Sequence, residues 1–188
     1  QDDISQRLVT SGVLELPFGR GRKLASNIPK VVDVFVGGWQ LNGIATMQTG
    51  LPLVVRGSNN FTGINYPDLV ADPSLPDGVP SANRWFNTDA FRNPANFVIG
   101  NAPRTLPSTR APGLVDVSFS IFKTFRIKER FRFETRVEMF NALNSVNLNG
   151  PDTNFSPNMA GVNTNANFGR IFSAQDARRM QLGMRLTF

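Results

Sequence analysis

Alternation with a period of two, sustained over three long stretches, constrains this chain more than any other feature. From Leu114 to Lys123, Val115, Val117, Phe119 and Ile121 are set against Asp116, Ser118, Ser120 and Phe122. After the charged turn Arg126-Ile127-Lys128-Glu129-Arg130, the residues Phe131, Phe133, Thr135, Val137 and Met139 oppose Arg132, Glu134, Arg136 and Glu138. At the carboxy end Met180, Leu182, Met184, Leu186 and Phe188 alternate with Arg179, Gln181, Gly183, Arg185 and Thr187. Residues two apart share one face of a strand, so each stretch predicts an amphipathic β-strand. The first two, joined by so few residues, predict an antiparallel hairpin. A chain end normally frays, and alternation carried to the last residue implies that this one is tied into a sheet.

Two further strands are weaker. Leu8, Thr10, Gly12, Leu14 and Leu16 alternate with Arg7, Val9, Ser11, Val13 and Glu15 up to the basic connector Pro17-Phe18-Gly19-Arg20-Gly21-Arg22-Lys23. Its Gly19-Arg20-Gly21 lacks the third glycine and the surrounding βαβ unit of a dinucleotide fingerprint, and reads as a turn. Ile28, Val31, Val32 and Phe35 fall at helical spacing and predict a short helix. Trp39, Leu41, Gly43, Ala45 and Met47 then alternate with Gln40, Asn42, Ile44, Thr46 and Gln48, a pattern extensible through Leu53-Val54-Val55. The expectation is an all-β, antiparallel up-and-down meander of about five long strands, near 6–16, 38–55, 113–125, 131–143 and 178–188. Long loops fill about 56–112 and 144–177, where Pro, Gly and Asn break every period.

Strand length and loop asymmetry say which solvents this sheet meets. About ten alternating residues exceed the usual strand of a globular protein and approach the roughly 9–11 that cross a bilayer with tilt. A structureless loop as long as 56–112 is improbable in a compact soluble domain, whereas short turns alternating with long loops typify outer-membrane barrels. The apolar faces are then expected outward, with Trp39, Phe125, Phe131 and Phe188 near the periplasmic interface as an aromatic girdle. Asp116, Arg132, Glu134, Arg136 and Glu138 are expected to face the lumen. Five strands fall short of the roughly eight that close the smallest such barrel. The chain is therefore expected to be the closing end of a longer sheet, aggregation-prone alone because its edges are open.

Composition removes several function classes. With no Cys and no His there is no disulfide, no thiolate metal site and no Cys- or His-based nucleophilic triad. No run of about 18 apolar residues provides a transmembrane helix. The net charge of +6 is scattered or interleaved with carboxylates, which argues against nucleic acid as a partner. Glu134 and Glu138 each have an arginine two residues away on their face, which favours an ion-pair ladder over acid–base catalysis. Asp68, Asp72, Asp77 and Asp89 lack calcium-loop spacing. No enzyme activity, metal or cofactor is expected. Arg84, Trp85, Phe86 and Phe91 in the long loop could contact a carbohydrate or peptide ligand; packing of the loop onto the barrel rim is the favoured alternative.

Several stretches also resemble a known family. Leu14-Glu15-Leu16-Pro17-Phe18-Gly19-Arg20-Gly21-Arg22, Gly37-Gly38-Trp39-Gln40-Leu41-Asn42-Gly43-Ile44 and Gln48-Thr49-Gly50-Leu51-Pro52 are similar to the closing part of Oar-like TonB-dependent receptors. Arg84-Trp85-Phe86-Asn87-Thr88, Asp116-Val117-Ser118, Glu138-Met139-Phe140-Asn141-Ala142-Leu143-Asn144 and Phe168-Gly169-Arg170-Ile171 continue the match in order. The last eight residues resemble the outer-membrane β-signal, with Gln181, Gly183, Leu186 and Phe188 at its polar, glycine, hydrophobic and aromatic positions. The resemblance implies a Gram-negative cell outer-membrane receptor of about 22 strands with a plug, energised through TonB and inserted by the barrel-assembly machinery. Its partners would be outer-membrane lipid, the rest of the parent barrel and its plug, and the TonB complex. A soluble β-sandwich carbohydrate-binding module and an autotransporter or adhesin barrel are the alternative readings.

Overall fold

The structure, a computed structural model, describes residues 3–76, 78–126 and 131–188, with Arg126 described by its backbone alone. The charged turn expected at 126–130 lies, from residue 127 onward, outside the described residues, as does Asp77. In chain order the elements are strand β1 (Arg7–Glu15), helix α1 (Lys30–Val36), strand β2 (Trp39–Gln48), the short strand β3 (Asp68–Leu69), a 3-10 turn (Thr88–Ala90), the short strand β4 (Phe91–Arg92), then β5 (Leu114–Arg126), β6 (Arg132–Phe140) and β7 (Arg179–Thr187). They divide into two compact units.

The sheet unit comprises residues 7–47, 115–146 and 176–188. Its five strands hydrogen-bond in the order β1-β2-β5-β6-β7, an open meander with β1 and β7 at the edges. Antiparallel register pairs Phe119 with Met139, Ile121 with Val137 and Phe125 with Phe133, and then Phe133 with Leu186, Val137 with Leu182 and Met139 with Met180. Because cross-strand partners share a face, these pairs form one apolar face across β5, β6 and β7. The opposite face aligns Ser120 with Glu138 and Glu138 with Gln181, Arg136 with Gly183 and Glu134 with Arg185.

The strand ends follow local chemistry. β2 stops at Gln48, short of the expected residue 55; Gly50 and Pro52 interrupt the ladder, and Leu53 and Val55 are buried elsewhere. β6 stops at Phe140, short of 143. There Asn141 and Asn144 adopt left-handed φ of 48° and 54°, which asparagine tolerates better than most residues. The Asn141 carboxamide closes that turn by donating to the Ser145 carbonyl and accepting from the Ser145 N–H. α1 begins after Pro29, whose fixed φ suits a helix start.

The loop unit comprises residues 1–6, 48–114 and 147–175, so both long loops fold into one body. Its core is Leu53, Val55, Phe86, Ala90, Phe91, Leu106, Phe155 and Phe168. Phe168 meets Phe86, Phe91 and Phe155 edge-on at centroid separations of 5.1, 5.6 and 5.7 Å, the geometry in which a positive ring edge meets a negative ring face. Backbone hydrogen bonds join the segments: Arg56 N–H to the Thr153 carbonyl, Phe155 N–H to that of Arg56, and Trp85 N–H to that of Gly169. Gly57, at φ +119°, backs onto the Phe155 carbonyl with no room for a Cβ, so the two chains can approach only there as glycine.

Candidate functional site

Three features of the sheet unit bear on function. The first is the terminal strand. In β7 the apolar side chains are exposed, with Leu182 at 74% and Met184 at 77%, and Phe188 beyond it at 88%. Gly183 lies under Arg136: a Cβ built there would sit 2.6 Å from Nε and 2.9 Å from Cγ of that side chain. The glycine of the terminal octet therefore provides a slot into which the arginine stem lies flat. Gln181 stands opposite Glu138, and Leu186 opposite Phe133.

The second is the charged face. Arg136 Nε lies 3.7 Å from Glu138 Oε2, and the Ser118 hydroxyl donates to Asp116 at 3.2 Å. Glu134 is aligned between Thr124 and Arg185, and Arg132 lies exposed at the start of β6. The expected ladder of charges is thus laid out on one face, with the Arg136–Glu138 ion pair formed. A half-exposed pair of this kind contributes about 0.2–1 kcal/mol.

The third lies at the end of the sheet where 16–38 links β1 to β2. A cavity of about 560 Å³ opens there, lined by Glu15, Arg20, Asp33, Trp39, Lys123 and Arg132 among others. Lys123 occupies the next apolar-face position after Ile121, yet it is only 4% exposed. Its ammonium donates to the carbonyls of Phe35 and Gly37 at the carboxy end of α1, where the helix dipole favours a cation. It also lies 5.1 Å from the ring centroids of both Trp39 and Phe125, and the Trp39 indole N–H donates to the Phe35 carbonyl at 2.8 Å. Two of the expected girdle aromatics, Trp39 and Phe125, are thereby gathered around one buried cation. Phe131 stands apart, exposed just before β6. Sequence reasoning missed Lys123, although its signal is visible: it is the one charge in the apolar register of 115–125.

The loop residues sort differently from expectation. Phe86 and Phe91, considered as ligand contacts, are 0% and 1% exposed within the loop-unit core; their rings pack on Phe168 and present no face to a ligand. Trp85 is part-buried, its indole N–H donating to the Arg110 carbonyl at 2.7 Å. Arg84 remains at the surface, 3.5 Å from Asp89. Asp72 accepts the Ser74 N–H at 2.8 Å, and this backbone bond, with the Ser74 and Ser108 hydroxyls, holds its carboxyl below the ordinary aspartate range. Among the described residues no group of His, Cys, Asp or Glu could hold a metal ion. Nor is any helix among them long and apolar enough to cross a membrane.

A five-stranded antiparallel meander with one open apolar face, one charged face and aromatics at the short-connection end defines a membrane β-barrel type of sheet. A family model described as an outer membrane beta barrel domain matches residues 1–181, and the chain belongs to that family. Its place is accordingly the outer membrane, and the sheet is part of a barrel that these five strands leave open. No curated protein and no solved structure matches the chain.

Proposed function

We propose that this chain is the closing part of the barrel of an Oar-like TonB-dependent receptor of a Gram-negative cell. The apolar face meets lipid and the charged face lines the lumen. β7 is the closing strand, whose Gln181, Gly183, Leu186 and Phe188 are read by the barrel-assembly machinery as it pairs with a strand edge. The remainder of the barrel, its plug and the TonB complex are the partners, and uptake of a ligand through the parent barrel is the activity. Neither a catalytic step nor a cofactor enters this reading.

The observation that carries the proposal is the open apolar face of β7, where Leu182 and Met184, and Phe188 just beyond the strand, are each at least 74% exposed. In water such a face would demand a covering layer, as in a sandwich; in lipid it needs none. The loop unit contributes Arg84 as a surface group available to a ligand.

The test is made on the full-length protein. It is expected to fractionate with outer membranes, to shift on gels when heated in detergent, and to support ligand accumulation that stops when TonB is deleted. Accumulation undiminished without TonB would remove the receptor reading while leaving the barrel intact. A well-behaved soluble monomer made from these residues alone would remove both.

A further inference from the structure

α1 has no buried residue. Val31 and Phe35, four residues apart and so on one side of the helix, are 72% and 71% exposed, and neighbouring Val34 is 49% exposed. The other side is fixed: Asp33 Oδ1 accepts the Arg20 N–H at 2.7 Å, and the Phe35 and Gly37 carbonyls hold Lys123. Lys123 shares its strand face with Ile121 and Phe125, so the carboxy end of α1 is fastened to the apolar face of the sheet. The exposed helix side is thus carried at the margin of that face.

The connector around it is basic. Between Pro17 and Lys30 it carries Arg20, Arg22, Lys23 and Lys30 and no acidic residue. Glu15 pairs with Arg22 at 2.8 Å and Asp33 accepts the Arg20 backbone N–H, so four basic residues against these two acids leave residues 15–33 with a net charge of +2. Arg20 and Arg22 line the 560 Å³ cavity beside the helix, together with Glu15 and Asp33, a volume within the range of small-molecule sites.

We infer that α1 and its basic connector form an interfacial anchor that binds anionic glycerophospholipid of the periplasmic leaflet. Val31, Val34 and Phe35 enter the boundary between headgroups and acyl chains, and Arg20 and Lys23 receive the phosphate. The occupant follows from continuity with the lipid-facing sheet and from the sign of the charge; an amphipathic helix with basic neighbours has the composition of an interface-lying segment. This inference rests on the outward orientation of the apolar face proposed above.

The experiment uses the full-length protein in vesicles of phosphatidylcholine with or without phosphatidylglycerol. Single cysteines, V31C on the helix and L182C on the sheet, carry an environment-sensitive fluorophore. Quenching by shallow and by deep spin-labelled phospholipids and by aqueous iodide is compared. Both labels are expected to be quenched by lipid and protected from iodide, the helix label by shallow probes only. Reversing Arg20 and Lys23 to Glu is expected to abolish the preference for phosphatidylglycerol, which should amount to about fivefold per basic residue. If L182C is lipid-quenched and V31C is open to iodide, the anchor is wrong and the orientation stands. If L182C escapes lipid quenching, the orientation itself fails. Protection of V31C from iodide without lipid quenching would mean that the protein's own chain covers the helix, and would overturn the inference. An unchanged lipid preference in the double reversal would overturn the headgroup assignment.

Discussion

Placing an arginine at Leu182 tests which side of β7 faces lipid. Leu182 is followed on its face by Met184, Leu186 and Phe188. At about 3.3 Å per residue the strand therefore rises roughly 20 Å from the terminal ring to Leu182. With a tilt of about 40–45° this becomes about 15 Å along the membrane normal, close to the midplane of an apolar band about 25 Å tall. An outward arginine at that depth costs about 2–4 kcal/mol, which is roughly 30- to 900-fold in the folding equilibrium at 1.36 kcal/mol per tenfold. Gln181 is the control. It stands opposite Glu138 on the other face, so Gln181→Arg gains a nearby carboxylate and is expected to change stability by less than about 1 kcal/mol. Reversible urea unfolding of the full-length barrel in lipid vesicles, followed by heat-modifiable mobility, measures both. The cost should also decline toward the terminus, with Leu186→Arg only about 0–1 kcal/mol worse than Thr187→Arg. Equal tolerance of Leu182→Arg and Gln181→Arg would contradict the facing, and a reversed order would mean that the faces are exchanged.

Three further outcomes are expected. Gly183→Val drives a branched side chain into the stem of Arg136 and should destabilise the barrel by about 1–3 kcal/mol through overpacking; Arg136→Ala in the same chain should recover most of that loss in a double-mutant cycle, and a strictly additive cycle would dismiss the contact. Phe168→Ala removes the ring that touches Phe86, Phe91 and Phe155 and should weaken the loop unit by about 3–5 kcal/mol; hydrogen exchange should accelerate across 48–114 and 147–175 while heat-modifiable mobility is kept, and unchanged exchange would count against a shared core. Asp72 should titrate below the ordinary 3.8; since its folded value is depressed, its contribution to loop stability is complete above 3.8 and is lost as pH falls through the lowered value, and a carboxyl NMR midpoint at or above 3.8 would refute the Ser74 bond.

The sheet was legible because strand pairing imposes a rule that each residue obeys separately. Phe133, Val137 and Met139 announce their face without reference to any distant residue, and β5, β6 and β7 follow from period alone. The helix was legible for the same reason. The loop unit was not, because its core is assembled from single residues separated by turns. Val55, Phe86 and Phe155 show no period, and they meet only when segment 48–114 packs on segment 147–175. The extension of β2 to residue 55 failed for a related cause: Leu53 and Val55 are apolar because they enter that core. Of the candidate sites, the charged face could be read from alternation, whereas the arrangement around Lys123 needed the α1 carbonyls to arrive from 86 or more residues away.

The slot beneath Arg136 has a bearing on how the last strand finds its place. Along β7, Gly183 alone has no side chain. A slide of two residues keeps every apolar side chain on its own face and so escapes detection by hydrophobicity. The same slide would bring Gln181 or Arg185 under the Arg136 stem, a bulky group in the first case and a like charge in the second. A single missing side chain thus proofreads the alignment of the sheet, distinguishing in-phase errors that the greasy stripe on the other face cannot sense.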